Sequence, residues 1–321
     1  MLVFAVGTGH SGSTVVAETL ARHREVGFVS NVDDRLGRLD LLGRWNNTLY
    51  RRSAPRDLRL LPPGNCRSLL ERGRIRVAPS QGWNVLERQV AQLVSAPCRD
   101  LVAEDCTPWV RDRLQSFFER RMAAQGRPAF VHRVTGWPRV GFLRAAFPEA
   151  RFVHVVRDGR AVVNSWIQAG WFPAHRGPEG WTLGPLPEAY EHLWEESGRS
   201  FVTLSGLAWR ILIEACEAAR TTVPAEHWLE VRYEELLERP RHHVERMLDF
   251  AGLRWDRDFE AQFARVRWET GRREPFRADL GPDGMATLER AIGVTLRAYG
   301  YRTEDRTGAS RRKNLSVLAG R

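Results

Sequence analysis

Apolar positions along the chain change period repeatedly, between continuous runs typical of buried strands and the wider spacing typical of helices. The continuous runs predict strands at residues 2–6, 27–30, 129–134, 152–156 and 227–232. The helical spacing predicts helices near residues 13–23, 83–93, 110–122, 140–146, 201–221, 241–251 and 283–299. Because strands and helices alternate, we expect an α/β fold with a mainly parallel central sheet flanked by helices.

Two long stretches interrupt this alternation. Residues 35–76 are rich in arginine and are broken by several prolines, so we expect irregular or briefly helical structure there. Residues 171–200 are rich in glycine, proline and tryptophan, and loops of this length usually form lids or binding elements. We expect one domain over residues 1–302, followed by a basic, mobile tail over residues 303–321.

Closely spaced glycines follow the first predicted strand and lead directly into the first helix, over residues 7–14. Backbone N–H groups and the positive end of a helix converge on one anion at such a turn. A phosphate loop of a nucleotide triphosphatase would also need a lysine here. The chain has one lysine, Lys313, far from this turn. The segment therefore predicts an anion site without ordinary ATP or GTP hydrolysis.

A second candidate anion site follows the strand at residues 152–156. Arg157 comes directly after this strand, and Ser165 follows eight residues later on the next predicted helix. A guanidinium binds phosphate through two parallel hydrogen bonds, and a serine hydroxyl can add another. Two such sites at two strand ends suit a nucleotide with separated anionic groups.

Composition narrows the class of partner. The 321 residues carry a formal net charge of +10, which favours anionic ligands. The sequence contains neither zinc-ligand spacing nor the motif of a nucleic-acid-binding module, so we expect no metal and no nucleic-acid partner. It also has no apolar run of membrane-spanning length and no cleavable leader. We therefore expect a cytoplasmic protein without membrane contact.

Two further segments carry a family resemblance. Residues 147–158 read Phe-Pro-Glu-Ala-Arg-Phe-Val-His-Val-Val-Arg-Asp, and residues 228–236 read Trp-Leu-Glu-Val-Arg-Tyr-Glu-Glu-Leu. With the loop at residues 7–14, they resemble sulfotransferases that use 3′-phosphoadenosine 5′-phosphosulfate (PAPS), especially the subgroup with an Arg-Ser-Gly-Thr loop. The resemblance implies a P-loop-like fold and in-line transfer of a sulfuryl group, without a covalent intermediate, to a hydroxyl of a small or medium acceptor. A phenol, a sugar, another natural product or a glycosylated molecule would fit. The rival interpretations are a kinase-like phosphoryl transferase and a non-catalytic nucleotide-binding module.

The resemblance also implies which residues hold the donor. Arg157 and Ser165 would hold the 3′-phosphate. Tyr233 would stack near the adenine, with a core tyrosine as the alternative. Arg272 or Arg273 would close on the donor, or would form an exposed basic turn. The 5′-phosphosulfate would lie on the loop residues Gly7, Gly9, His10, Ser11, Gly12, Ser13 and Thr14.

Two positions depart from the family pattern. The basic residue of the family loop is His10 here, which donates to the bridging oxygen only when protonated and would make activity sensitive to pH near neutrality. A second family lysine is replaced by Arg133, which is either a transition-state donor or an ion-paired structural arginine.

A general base must lie within hydrogen-bond reach of the acceptor hydroxyl. The position of the family histidine is Thr135, which cannot serve. We choose Asp33 as the base, with Asp34, His10 and His132 as alternatives. A helix cap or a solvated turn is the competing role for the two aspartates. Insertions at about residues 35–125 and 170–200 are expected on the acceptor side, and a homodimer is left open.

Overall fold

A parallel sheet forms the centre of the protein in the computed structural model, which describes residues 1–36, 41–54, 70–71, 74–170, 172–268 and 274–303. The sheet has five strands in the order β2-β5-β1-β6-β7. Their bounds are β1 Leu2–Gly7, β2 Val26–Phe28, β5 Ala129–Thr135, β6 Arg151–Val156 and β7 Trp228–Arg232. A separate antiparallel pair joins β3 (Leu70–Glu71) to β4 (Arg74–Ile75). The predicted α/β fold with a parallel central sheet is confirmed.

Helices surround this sheet on both faces. They are α1 Ser13–Leu20, α2 Asn31–Arg35, α3 Asn46–Arg52, α4 Trp83–Gln89, α5 Pro108–Gln125, α6 Val140–Ala146, α7 Gly159–Ile167, α8 Gly177–Gly180, α9 Glu188–Glu196, α10 Phe201–Thr221, α11 Tyr233–Glu238, α12 Pro240–Phe250, α13 Arg257–Phe263 and α14 Pro275–Ala298. Helix α14 is interrupted at Gly281, where φ is 65°. Helices α3 and α9 lie inside the two stretches that the sequence predicts as largely irregular.

Alternate side chains of β1 pack against different layers of helices. Phe4 and Val6 belong to a cluster with residues of α5 and α6, whereas Val3 and Ala5 pack with residues of α1 and α12. A third apolar cluster joins α7, α10 and α14. The sheet is therefore buried on both faces, as a parallel sheet requires.

The strand order creates a crevice at the carboxyl ends of β1 and β6. From β1 the chain passes through α1 to β2 at one edge, whereas from β6 it leads towards β7 at the other edge. Adjacent parallel strands whose connections run in opposite directions leave an open crevice, where α/β proteins bind their ligands. The two predicted anion-binding segments follow these two strands.

Some predictions fall on residues that the structure does not describe. Arg272, Arg273 and the tail apart from Thr303 lie outside the described residues, as does most of the proline-containing part of residues 55–73. Within the described residues, none of the helices has both the length and the hydropathy needed to cross a bilayer.

Candidate functional site

The loop after β1 is shaped by residues in the left-handed conformation. Gly9 has φ 74°, His10 has φ 53° and Gly12 has φ 98°. Glycine adopts such angles without steric cost, and left-handed residues in a turn allow successive N–H groups to face one concave surface. Gly12 precedes α1, and its carbonyl accepts the N–H groups of Val15 and Val16. The first N–H groups of a helix have no carbonyl partner within the helix.

The hydroxyl of Ser11 is a buried polar group inside this loop. Its Oγ is fully buried and has no hydrogen-bond partner among the described residues. A Cβ at Gly7 would lie 2.3 Å from this oxygen, so glycine there leaves room for the hydroxyl. Because a buried hydroxyl without a partner is costly, an oxygen of a bound anion fits this position.

The second segment touches the first. Arg157 Nη1 donates to the backbone carbonyl of His10 at 2.9 Å. Ser165, on α7, forms a hydrogen bond through its Oγ to Nδ1 of His10. The loop after β1 and the arginine and serine after β6 therefore line one continuous site.

The Tyr233 ring lies between these two segments. Tyr233 is the first residue of α11, directly after β7, and the Arg157 guanidinium lies 4.8 Å from the centre of its ring. A Cβ at Gly12 would lie 2.2 Å from Cδ2 of the ring. Glycine at position 12 therefore allows the tyrosine to approach the loop backbone.

Arg133 and His132 are neighbours on β5, and their side chains contact helices on opposite faces of the sheet. The Arg133 guanidinium donates to the hydroxyl of Thr14, at the start of α1. The His132 ring packs instead against Phe118 and Phe4, at centroid distances of 5.2 and 6.2 Å. Burial, with the charges of nearby arginines, lowers the pKa of His132 to about 3. The structure thus brings Arg133 to the loop and removes His132 from the candidates for the general base.

His10 is neutral in the free protein at neutral pH. Burial lowers its pKa to about 4, and the positive charges of Arg157 and Arg133 act in the same direction. The expectation that His10 titrates near neutrality is therefore wrong for the free protein. A histidine between two guanidinium groups is penalised for adding a third positive charge.

Asp33 serves as a helix cap. Its Oδ2 accepts hydrogen bonds from the backbone N–H and the hydroxyl of Ser30, both at 2.8 Å, and from Nδ2 of Asn46 at 2.6 Å. The Ser30 hydroxyl in turn accepts the N–H of Asp33, which completes a capping box at the start of α2. This arrangement matches the capping role that the sequence left open for the aspartates.

Asp34 contacts α4 and the segment directly before it. Its Oδ1 accepts the backbone N–H of Val85 at 3.2 Å, and its Oδ2 lies 3.4 Å from the hydroxyl of Ser80. The next residue, Gln81, accepts a hydrogen bond from Thr135. Thr135 pairs with Gly7, the last residue of β1. Residues 80–81 therefore contact Asp34 on one side and, through Thr135, the strand end that leads into the loop after β1.

Sequence reasoning missed Gln81 and Glu234 as members of this region. Gln81 contacts Thr135 from 54 positions away, and Glu234 accepts the backbone N–H of Asp158 from 76 positions away. Neither residue belongs to a local pattern. The one available signal for Glu234 was its place beside Tyr233.

Comparisons with known proteins indicate the family and support the fold. The sequence matches the model of the sulfotransferase family over residues 3–257. Sulfotransferase STF9 from Mycobacterium avium is similar in structure, with a TM-score of 0.53 and 14% identity over 95% of this chain and 78% of that protein. The sulfotransferase domain of the Synechococcus PCC 7002 olefin synthase gives a TM-score of 0.44 at 17% identity, over 90% of this chain and 93% of that domain. The first likeness supports the fold, whereas the second is too weak to add to it.

Proposed function

The chain belongs to the sulfotransferase family, and from this premise we propose that it transfers a sulfuryl group from PAPS to a hydroxyl of a small or medium acceptor. The hydrogen bond from Arg157 to the His10 carbonyl, 2.9 Å long, is the observation that carries the proposal. Through it, two anion-binding segments about 150 residues apart in sequence form one site. PAPS has two anionic ends that such a site can hold.

The loop of residues 7–14 binds the 5′-phosphosulfate in this proposal. Its backbone N–H groups and the Ser11 hydroxyl donate to the anionic oxygens. When the sulfuryl group leaves, negative charge grows on the bridging oxygen, and fixed N–H dipoles stabilise that charge without reorganisation. The buried Ser11 Oγ, which has no partner within the described residues, supports this assignment.

Arg157 and Ser165 bind the 3′-phosphate. Arg157 offers charge-assisted hydrogen bonds, which are about twice as strong as neutral ones. Ser165 already bonds to His10 Nδ1. With the proton of neutral His10 on Nδ1, the histidine donates to Ser165 and leaves the serine hydrogen for the phosphate. Tyr233 supplies an aromatic surface beside this end of the site.

Arg133 takes the place of the cation that lysine would supply. Its hydrogen bond to Thr14 holds the guanidinium against the first turn of α1, where the loop ends. From that position it stabilises charge on the sulfuryl oxygens in the transition state. Since guanidinium stays protonated throughout the physiological range, this contribution does not depend on pH.

Asp34 is the group that we propose as the general base. Asp33 uses Oδ2 for two hydrogen bonds from Ser30 at the cap of α2 and one from Asn46, so proton transfer at that oxygen would weaken the cap. Asp34 makes two longer contacts and neighbours the segment that reaches Thr135. A carboxylate that is weakly bound by its neighbours can accept the proton of an acceptor hydroxyl.

The acceptor would lie beyond Thr135. Trp83 and Trp137 are both partly buried in this region, and Trp137 Nε1 donates to the carbonyl of Thr182 at 3.3 Å. Aromatic walls with a few polar groups are typical of sites for small molecules. We therefore propose an acceptor with an apolar or ring-shaped body and a reactive hydroxyl.

The test compares donors. Transfer of labelled sulfate from PAPS to a panel of phenols, sugars and natural products is expected, with no transfer of phosphate from labelled ATP. Phosphate transfer without sulfate transfer would support the kinase-like alternative. Tight binding of adenosine 3′,5′-bisphosphate (PAP) without turnover of any acceptor would support the binding module.

A variant tests the assignment of the 3′-phosphate. Arg157→Ala should weaken PAP binding by about a hundredfold, as expected for lost hydrogen bonds to a charged group. Arg199→Ala is a matched control, because Arg199 is exposed and pairs with Glu195 on the surface. Wild-type affinity for PAP in Arg157→Ala would overturn the assignment.

A further inference from the structure

The turn between β6 and α7 is held at its centre by Asp158. Its backbone N–H, directly after Arg157, donates to Oε1 of Glu234 at 2.9 Å. Its carboxylate accepts the N–H of Arg160 at 2.9 Å and caps α7. The peptide that follows Arg157 is therefore fixed by Glu234 and by the cap of α7.

Glu234 also connects this turn to a distant part of the chain. Its second oxygen, Oε2, accepts a hydrogen bond from the Tyr301 hydroxyl at 3.0 Å. The Arg232 guanidinium lies 4.6 Å from the centre of the Tyr301 ring. Burial and the charge of Glu234 raise the pKa of Tyr301 well above its ordinary value, so the hydroxyl stays a donor. One carboxylate thus links the peptide after Arg157 to the segment after α14.

Arg160 makes a second link to the same segment. Its guanidinium binds both oxygens of Asp158, through Nε at 3.0 Å and Nη2 at 2.7 Å. Its Nη1 donates to Glu289 at 2.6 Å and to the carbonyl of Arg302 at 2.9 Å. Arg160 is only 3% exposed. A buried pair of this kind is strongly damaging to break, which makes the link rigid.

The end of α14 directs residues 301–302 towards this turn. Gly300 adopts φ 75° and its N–H donates to the carbonyl of Arg297 at 2.9 Å, while the N–H of Tyr301 donates to Leu296 at 2.9 Å. These two bonds form a Schellman motif, which ends a helix and reverses the chain. The reversal brings the Tyr301 hydroxyl and the Arg302 carbonyl to the turn that carries Arg157.

We propose that Glu234 and Tyr301 are positioning residues for Arg157, and that the segment after α14 thereby sets how well the protein recognises a nucleotide 3′-phosphate. The inference rests on the proposed function, because it takes the anion at Arg157 to be that phosphate. Neither residue contacts the ligand in this arrangement. Their effect on binding passes through the peptide between Arg157 and Asp158.

Tyr301→Phe tests the inference, because it removes one hydroxyl and keeps the ring. Affinities for PAP and for adenosine 5′-monophosphate, which lacks the 3′-phosphate, are measured by calorimetry. We expect PAP binding to weaken by about threefold to tenfold, while binding of the monophosphate stays unchanged. Tyr299→Phe is the matched control, since the Tyr299 hydroxyl donates to Glu217 away from Arg157. It should leave both affinities as in the wild type.

A double-mutant cycle separates positioning from general support of the fold. In an Arg157→Ala background, Tyr301→Phe should cause no further loss of PAP affinity, because its effect acts through Arg157. Glu234→Gln keeps an acceptor for the Asp158 N–H and should retain more PAP affinity than Glu234→Ala. A Tyr301→Phe variant that binds both nucleotides more weakly by equal factors would overturn the inference, since it would act on the whole site.

The outcomes distinguish this inference from the proposed function. If the wild-type protein does not prefer PAP over the monophosphate, or if Arg157→Ala keeps that preference, the assignment of the 3′-phosphate fails. If Arg157→Ala loses the preference but Tyr301→Phe keeps it, the assignment stands and the positioning role is refuted.

Discussion

Replacing Gly12 by alanine should damage both stability and donor binding. The new Cβ would lie 2.2 Å from Cδ2 and 2.7 Å from Cε2 of Tyr233, and φ at this position is 98°. An L-residue in a left-handed conformation costs about 1–2 kcal/mol. Overpacking of the ring adds about 1–3 kcal/mol. We therefore expect the free energy of unfolding to fall by about 2–5 kcal/mol.

Gly126→Ala supplies the matched control. Gly126 also has a left-handed φ, 57°, but a Cβ there meets no atom within 4 Å. It should lose only about 1 kcal/mol, so the difference between the two variants measures the collision with Tyr233 together with the greater backbone strain at φ 98°. Urea unfolding of both variants measures this difference.

Donor binding provides the second readout. Relief of the collision moves the Tyr233 ring, against which Arg157 lies. Gly12→Ala should therefore weaken PAP binding at least about tenfold, whereas Gly126→Ala should bind as the wild type does. The reasoning is refuted if the two variants unfold within about 0.5 kcal/mol of each other and bind PAP equally well.

Three further predictions concern titratable groups. Asp34→Asn should lower kcat about a hundredfold and leave PAP affinity unchanged. Asp33→Asn should keep kcat, but its free energy of unfolding in urea should fall by about 1–3 kcal/mol. Equal turnover in the two variants would rule out Asp34 as the base. The pKa of His132 is about 3 in the folded protein, so between about pH 6.5 and 3 only the unfolded chain binds its proton, and the free energy of unfolding falls as the pH falls. His132→Phe should flatten this pH dependence, by at most about 2 kcal/mol between pH 6.5 and 5. Parallel plots of the free energy of unfolding against pH for the two proteins would contradict this. The pKa of His10, about 4 in the free protein, should rise beside a bound polyanion. PAP binding near pH 5 should therefore take up a fraction of a proton in the wild type, and His10→Gln should lose this uptake. Calorimetry in two buffers of different ionisation enthalpy measures the uptake, and equal values for the two proteins would contradict the prediction.

The sheet could be predicted because its strands are continuous apolar runs. Strands β1, β5 and β6 each differ from the prediction by at most a residue at either end. Their order could not be predicted, since the placement of β5 between β2 and β1 depends on packing between distant segments. Helix α9 was missed because it lies in a stretch rich in glycine, proline and tryptophan. There the glycines and prolines predict turns and mask the short helical spacing of apolar residues.

The candidate site also contains features that follow from local sequence and features that depend on contacts between distant segments. The turn after β1 and the placement of Arg157 after β6 are encoded locally, so the sequence was enough to predict where they lie; their role in binding an anion stays a prediction. The capping box of Ser30 and Asp33 is local as well, whereas the hydrogen bond from Asn46 to Asp33 and the packing of His132 on Phe118 join separate elements. Contacts of Gln81 and Glu234 join residues more than 50 positions apart, which no local pattern records.

The strand order also has a consequence for how the protein is made. Both neighbours of strand β1 are synthesised more than 100 residues after it, with Phe4 opposite His132 on one side and Phe152 on the other. Until those neighbours are synthesised, a wholly apolar strand has two unpaired edges, which favours aggregation. The nascent chain should therefore expose these edges until Val156 has been synthesised, and the crevice between β1 and β6 can form only after that point.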